Sequence, residues 1–160
     1  MLYDNINKLI AEALKKYSDK SLTGEEKSKA EIRLSTLRLI KSKYMEFSTS
    51  ADKGDKTITE AVEVNILRKM VAERKDDLGM FLAAGRDELV EKAKLEIAII
   101  SEFLPEDVSE DKLIEAFNEV LATGLEPIRK NMGMFIKAIK EKYPIADGKT
   151  VSTIVAQRLK

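Results

Sequence analysis

Histidine, cysteine and tryptophan are absent from this chain of 160 residues, and proline occurs only three times. Without cysteine there is no disulfide framework and no thiolate metal site. Without histidine the commonest general acid/base and the commonest metal ligand are missing. A nucleophile would have to be Ser, Thr, Lys or a carboxylate activated by other means. The sequence shows no nucleophile–base pair, no Walker-type phosphate loop and no dinucleotide glycine fingerprint. Carboxylates are plentiful, but no two stand isolated in an apolar setting, as a glycosidase-type pair would need. A non-enzyme with no cofactor and no metal site is therefore expected. Long apolar runs are lacking too: none approaches the ~20 residues of a membrane span. The opening MLYDNINKLI carries Asp4 in its first turn instead of a long apolar core, so no signal peptide is expected. A soluble cytoplasmic protein with no membrane partner is the expectation.

Lys, Glu, Leu, Ile and Ala dominate what is present, and all favour helix over strand or turn. Apolar residues make up 44% of the chain, enough at this length for a buried core. They recur at three-and-four spacing in successive stretches, and no strand is needed, so the expected class is all-α. The first helix covers residues 3–17 along Ile6, Leu9, Ile10, Ala13, Leu14 and Tyr17. Thr23 and Glu26 have capping-box spacing for a second helix that reaches about Phe47. Residues 48–57, STSADKGDKT, read as a loop. Thr57 and Glu60 offer another capping box, for a third helix ending near Ala83 with Gly85 as its C′ residue. A fourth runs from about Arg86 to Phe103 along Leu89, Ala93, Ile97, Ile100 and Leu104, with Val90 and Ile99 broadening the stripe, and stops before Pro105. Residues 105–109 form the expected boundary. An N-terminal four-helix array over 1–105 then precedes a C-terminal three-helix bundle over 106–160. In that second part Ser109, Asn131 and Asp147 are placed to cap three helices, while Gly124 and Pro144 end the first two.

Charge is segregated inside the C-terminal part. Residues 106–126 hold Glu106, Asp107, Glu110, Asp111, Glu115, Glu119 and Glu126 against Lys112 alone. Residues 128–160 hold Arg129, Lys130, Lys137, Lys140, Lys142, Lys149, Arg158 and Lys160 against Glu141 and Asp147. The whole chain is neutral, so the contrast is not a by-product of a basic protein. Either the acidic helix docks on the basic pair, or the basic pair faces a polyanion. Lys130, Gly133, Lys137 and Lys140 fall along one line of the sixth helix, roughly opposite its apolar stripe of Met132, Phe135, Ile136 and Ile139. Gly133 either admits a phosphate to the main chain or marks a close helix–helix contact. Asp147-Gly148 reads either as an N-cap and turn or, like Gly133, as a place where phosphate can approach, with Lys149 beside it as the contact. Arg68, Lys69, Arg74 and Lys75 alternate with Glu73, Asp76 and Asp77, which suits a solvated face with local pairing.

Several blocks of wording also match a known family. They are LSTLRLIKS from Leu34, the Arg68-Lys69 pair, FLAAGRDELVEKAKLEIAIISEFLP from Phe81 to Pro105, Asn131-Met132-Gly133, and ADGKTVSTIV from Ala146. In these the chain resembles the YqeY-like family, relatives of the C-terminal tail domain of GatB, the B subunit of the tRNA-dependent glutamyl/aspartyl amidotransferase. The resemblance implies an all-helical fold with a larger N-terminal part and a three-helix C-terminal part. It implies a tRNA-associated accessory role, because phosphorylation and ammonia production belong to domains this chain lacks. With the charge pattern, it makes Lys130, Lys137, Lys140, Lys149 and Arg158 the expected phosphate contacts, with Gly133 and Gly148 allowing close approach. The expected partner is tRNA or another structured RNA. The alternative is a module that docks on a tRNA-handling enzyme without touching RNA. Two places depart from the family pattern: Met134 stands where a lysine usually follows Met-Gly, and the run Tyr143-Pro144-Ile145 is one residue shorter and less basic.

Overall fold

The computed structural model describes residues 1–50, 54 and 56–160. Among them are seven α-helices and no strand: α1 (Leu2–Tyr17), α2 (Gly24–Thr49), α3 (Glu60–Ala83), α4 (Asp87–Ser101), α5 (Glu110–Ala122), α6 (Met132–Lys142) and α7 (Gly148–Arg158). A short 3-10 turn, Arg129–Asn131, leads into α6. The chain divides into two compact units, Met1–Leu104 and Pro105–Lys160.

In the first unit α1 packs on α2, and α3 packs along α4. One core runs through these helices, with Leu37, Ile40, Leu67 and Ile100 fully buried. Each such side chain contributes about 1.5–3 kcal/mol of burial. The α3–α4 connection follows from Gly85, whose φ of +68° is the left-handed conformation a helix C′ residue adopts. Its N–H donates to the Leu82 carbonyl at 3.2 Å, and the Arg86 N–H donates to the Phe81 carbonyl at 3.0 Å. This pair of bonds closes the Schellman motif that the Gly85 position predicts.

Several expectations need correction. Thr23 is the N-cap of α2, but its side chain makes no capping bond. Gly24, at φ +60°, swings the chain into the helix by a left-handed step, so the Thr23–Glu26 capping box does not form. The N-cap of α3 is Thr59 rather than Thr57, and its hydroxyl accepts from the Val62 N–H at 3.3 Å. Burial of Ile58 in the core draws the entry point inward by two residues. Ser48 and Thr49 belong to α2 rather than to a loop, and Ala51, Asp52, Lys53 and Asp55 lie outside the described residues. The buried face of α4 is Val90, Ala93, Glu96, Ile99 and Ile100, with Ile97 partly buried against the same core. Leu14, expected on the inward stripe of α1, is instead 43% exposed. Glu96 lies inside because Arg74 of α3 pairs with it at 3.2 Å while also holding Asp77 at 3.1 Å.

The N-terminus of α1 rests on a charge from α3. Glu63, buried, accepts from the Leu2 N–H at 2.9 Å and from the Tyr3 N–H at 3.3 Å. Two of the orphan amides of α1 are thus satisfied by a carboxylate on the favourable side of its dipole. Tyr44 lies near it, edge-on to Tyr3 with ring centroids 5.4 Å apart. The Tyr44 hydroxyl is buried without a hydrogen-bond partner. Burial first, and the charge of Glu63 second, push this phenol above its ordinary value of 10.0. The unfolded chain therefore releases the Tyr44 proton at a lower pH than the folded one. The stability tied to a neutral Tyr44 is intact below pH ~10 and is lost as pH rises beyond it. Tyr44→Phe removes the unmatched hydroxyl and is expected to stabilise the protein by about 1 kcal/mol in urea unfolding near neutral pH. It should also flatten the alkaline decline. A variant less stable than the parent would show that the hydroxyl does find a partner.

Candidate nucleic-acid interface

The second unit is built on three amphipathic helices. Ser109 opens α5 by accepting from the Lys112 N–H at 3.4 Å. Leu113 and Phe117 of α5 meet Phe135 and Ile139 of α6 and Val151 and Val155 of α7 in one core. Phe117 and Phe135 stack with centroids 4.6 Å apart, a geometry worth about 0.5–1.5 kcal/mol beyond burial. Gly124, at φ +95°, ends α5 and releases the chain into the linker. The Lys160 N–H donates to the Pro127 carbonyl at 2.9 Å and fastens the far side of α7 to that linker. Asn131 does not cap α6 with its side chain, contrary to expectation. The 3-10 turn runs directly into the helix, and the Asn131 amide instead donates back to the Glu126 carbonyl at 3.0 Å.

The turn between α6 and α7 is held from both sides. Ala146 is buried in the core. The Lys140 ammonium donates to the Pro144 carbonyl at 3.4 Å and also to the Ala146 carbonyl. Asp147 then starts α7 by accepting from the Thr150 N–H at 3.2 Å and from the Thr150 hydroxyl at 2.9 Å. Of the expected phosphate contacts, Lys140 is thus a half-buried brace of the turn.

The remaining candidates fall into two groups. Lys130, Gly133 and Lys137 are exposed along the outer side of the 3-10 turn and α6, with exposed Glu141 one turn further on. A Cβ at Gly133 would meet nothing within 4 Å, so this glycine does not serve a close helix–helix contact. Met134, on the same outer side, is 58% exposed. Gly148, Lys149 and Arg158 belong to α7. Lys149 and Arg158 line one cleft of about 300 Å³ between α5 and α7, together with Glu110, Ile114, Thr153 and Gln157. The Arg158 guanidinium also donates to the Ile154 carbonyl at 3.1 Å, closing the end of α7. Glu110, Thr153 and Gln157 are additions to the expected set. The spacing Lys149–Thr153–Gln157 already places three of the lining residues on one helical line.

Acid and base do meet inside this unit, at Glu119 and Lys142. The Lys142 ammonium donates to both Glu119 oxygens, at 2.8 and 2.6 Å. That hydrogen bonding holds Lys142 above the usual lysine range. Among the described residues, no ion pair engages Lys130, Lys137 or Lys149. Docking of acidic α5 on the basic helices accounts for Lys142 and leaves these three ammonium groups in solvent. Also among the described residues, no group of carboxylates could hold a metal ion, and no helix is long and apolar enough to cross a membrane.

The family model described as Yqey-like protein matches residues 4–159. No curated protein matches the chain.

The turn that separates the two groups of cations is open to a direct test. Asp147→Ala removes the cap of α7 and should cost about 1 kcal/mol of stability. Lys140→Met leaves the Pro144 and Ala146 carbonyls unmatched and should cost about as much. Urea unfolding measures both, with methyl NMR signals of Val151 and Ile154 reporting on the second unit. Unchanged midpoints in both variants would remove the turn from the stabilising framework.

Proposed function

The chain belongs to the YqeY-like family, and from that membership and the layout of its exposed cations we propose a non-catalytic accessory protein that holds structured RNA, tRNA first, through backbone charge and shape. On this reading α1 to α4 form an N-terminal four-helix array and α5 to α7 a C-terminal three-helix bundle related to the GatB tail domain. The observation that carries the reading is the state of the lysines. Lys142 is neutralised within the unit, while Lys130, Lys137 and Lys149 are exposed and carry no ion pair among the described residues. A neutral chain has no general need of such a set, and a phosphate backbone is a partner that uses it. Gly133 and Gly148, both exposed with open space around the Cβ position, leave the main chain accessible beside those lysines. Lys140 contributes indirectly, by fixing the turn.

A second reading is favoured by the end of α3. Met80 and Leu82 are 67% and 59% exposed there, beside the exposed Ala83 and Ala84. Such a tip suits docking on a tRNA-handling enzyme, and that reading requires a complex that survives ribonuclease.

Titration of labelled tRNA at low and moderate salt tests the first reading. Affinity should fall steeply with salt, with a log–log slope of about 0.7–0.9 per phosphate contact. Replacing Lys130, Lys137 and Lys149 together by Glu should weaken binding by more than tenfold, about 1.4 kcal/mol, and lower the slope. Absence of binding at low salt, or a triple variant that binds like the parent, would exclude it.

A further inference from the structure

The cleft between α5 and α7 has an unusual distribution of charge. Glu110 stands on the α5 wall, one turn from Ile114, and Lys149, Gln157 and Arg158 stand on the α7 wall above the buried Ile154. An acid and two bases line one opening of about 300 Å³, yet among the described residues no ion pair joins Glu110 to either base. Elsewhere in the same unit Glu119 and Lys142 close to 2.6 Å when they can reach each other. Across the cleft no such pair is made among the described residues.

A simple anion would be repelled by Glu110, and a simple cation by Lys149 and Arg158. A ligand that suits all three must be anionic at one end and rich in hydrogen-bond donors at the other, with a flat apolar body for Ile114 and Ile154. We propose that this cleft receives a single unpaired guanine nucleotide. The phosphate faces Lys149 and Arg158, the base lies on the two isoleucines, and the N1–H and N2 amine of guanine donate to the Glu110 carboxylate. A carboxylate is an acceptor with two oxygens, and guanine presents two adjacent donors on its Watson–Crick edge. Adenine and uracil cannot offer that pair. The Gln157 amide supplies both a donor and an acceptor for the sugar hydroxyls. Splayed-out bases read on their hydrogen-bonding edges are the usual basis of sequence preference in RNA recognition. The opening falls at the lower end of ligand-pocket sizes, which suits one nucleotide and excludes a duplex.

This inference deepens the RNA reading and rests on it for its biological source, because guanine can arrive in an RNA strand or as the free nucleotide. The probes are 5′-GMP, 5′-IMP and 5′-AMP, followed by single-stranded RNA hexamers that carry guanine or inosine at one position. Binding is followed by methyl NMR of Ile114 and Ile154 in the full chain. The expected result is movement of both isoleucine signals with GMP, and binding about tenfold tighter than with IMP, which lacks the second donor. Glu110→Gln should abolish that preference while leaving the fold and the parent spectrum elsewhere intact. Gln157→Ala should weaken every nucleotide alike. A guanine hexamer preferred over its inosine counterpart assigns the site to RNA, and preference confined to free GMP assigns it to the mononucleotide. Equal binding of GMP and IMP, or isoleucine signals that stay still, overturns the guanine site even if tRNA binds with the expected salt slope. Failure of tRNA to bind, with GMP still preferred in the cleft, overturns the RNA reading and retains the site.

Discussion

One ammonium group sets the geometry of the C-terminal unit. Pro144 ends α6 and turns the chain, which leaves carbonyls at the helix end and in the turn without helical donors. Lys140 supplies that donor to Pro144 and Ala146. Ala146 is buried in the core beneath it, and Asp147 begins the next helix with a side-chain cap. The direction of α7 relative to α6 depends on these three residues. The same interaction draws a positive charge out of the line formed by Lys130, Gly133 and Lys137. The basic surface is thereby divided into an outer side of α6 and the α5–α7 cleft.

The charge pattern has consequences in two directions. An exposed pair such as Lys142–Glu119 contributes little to stability, because solvent screens it and two long side chains must be ordered. Its larger effect is on what remains. Each acid that meets a base inside the unit removes one charge from the external field, and among the described residues this happens to Lys142 but not to Lys130, Lys137 or Lys149. A neutral chain can therefore present a local positive face. Interactions at that face reach only about a Debye length, ~8 Å at physiological salt, so a net charge of zero does not stop it from meeting a phosphate chain.

Much of the fold could be read from residue pattern, and the failures have specific causes. The inward faces of α5, α6 and α7 follow their three-and-four spacing, with Leu113, Phe117, Phe135, Ile139, Val151 and Val155 all buried. Ser109, Asp147 and Gly85 act at the helix ends where their chemistry places them. Thr23 fails as a side-chain cap because the next residue is a glycine free to take a positive φ. Thr57 gives way to Thr59 because Ile58 enters the core. Asn131 is diverted to the Glu126 carbonyl because a 3-10 turn already precedes the helix. The burial of Glu96 on α4 could not be read from its own sequence. It follows from Arg74 on α3, which gives Glu96 a partner and makes an acid tolerable on the inner face.

Periodicity reports which side of a helix faces inward. It does not report which outward groups from different helices converge. Lys149, Thr153 and Gln157 could be placed on one line of α7 from spacing alone, but Glu110 joins them only because α5 packs alongside. The distinction matters for chemistry. In open water, opposite charges held apart across a cleft interact weakly. When a ligand fills the gap and excludes water, the same charges act through a lower dielectric and their preferences sharpen. Two bases and one acid then select a molecule by its distribution of charge and donors rather than by its net charge. A basic helix reading of the C-terminal unit would describe it as a general anion surface. Glu110 beside Lys149 and Arg158 adds an acid to that surface, so a ligand in the cleft meets both signs of charge.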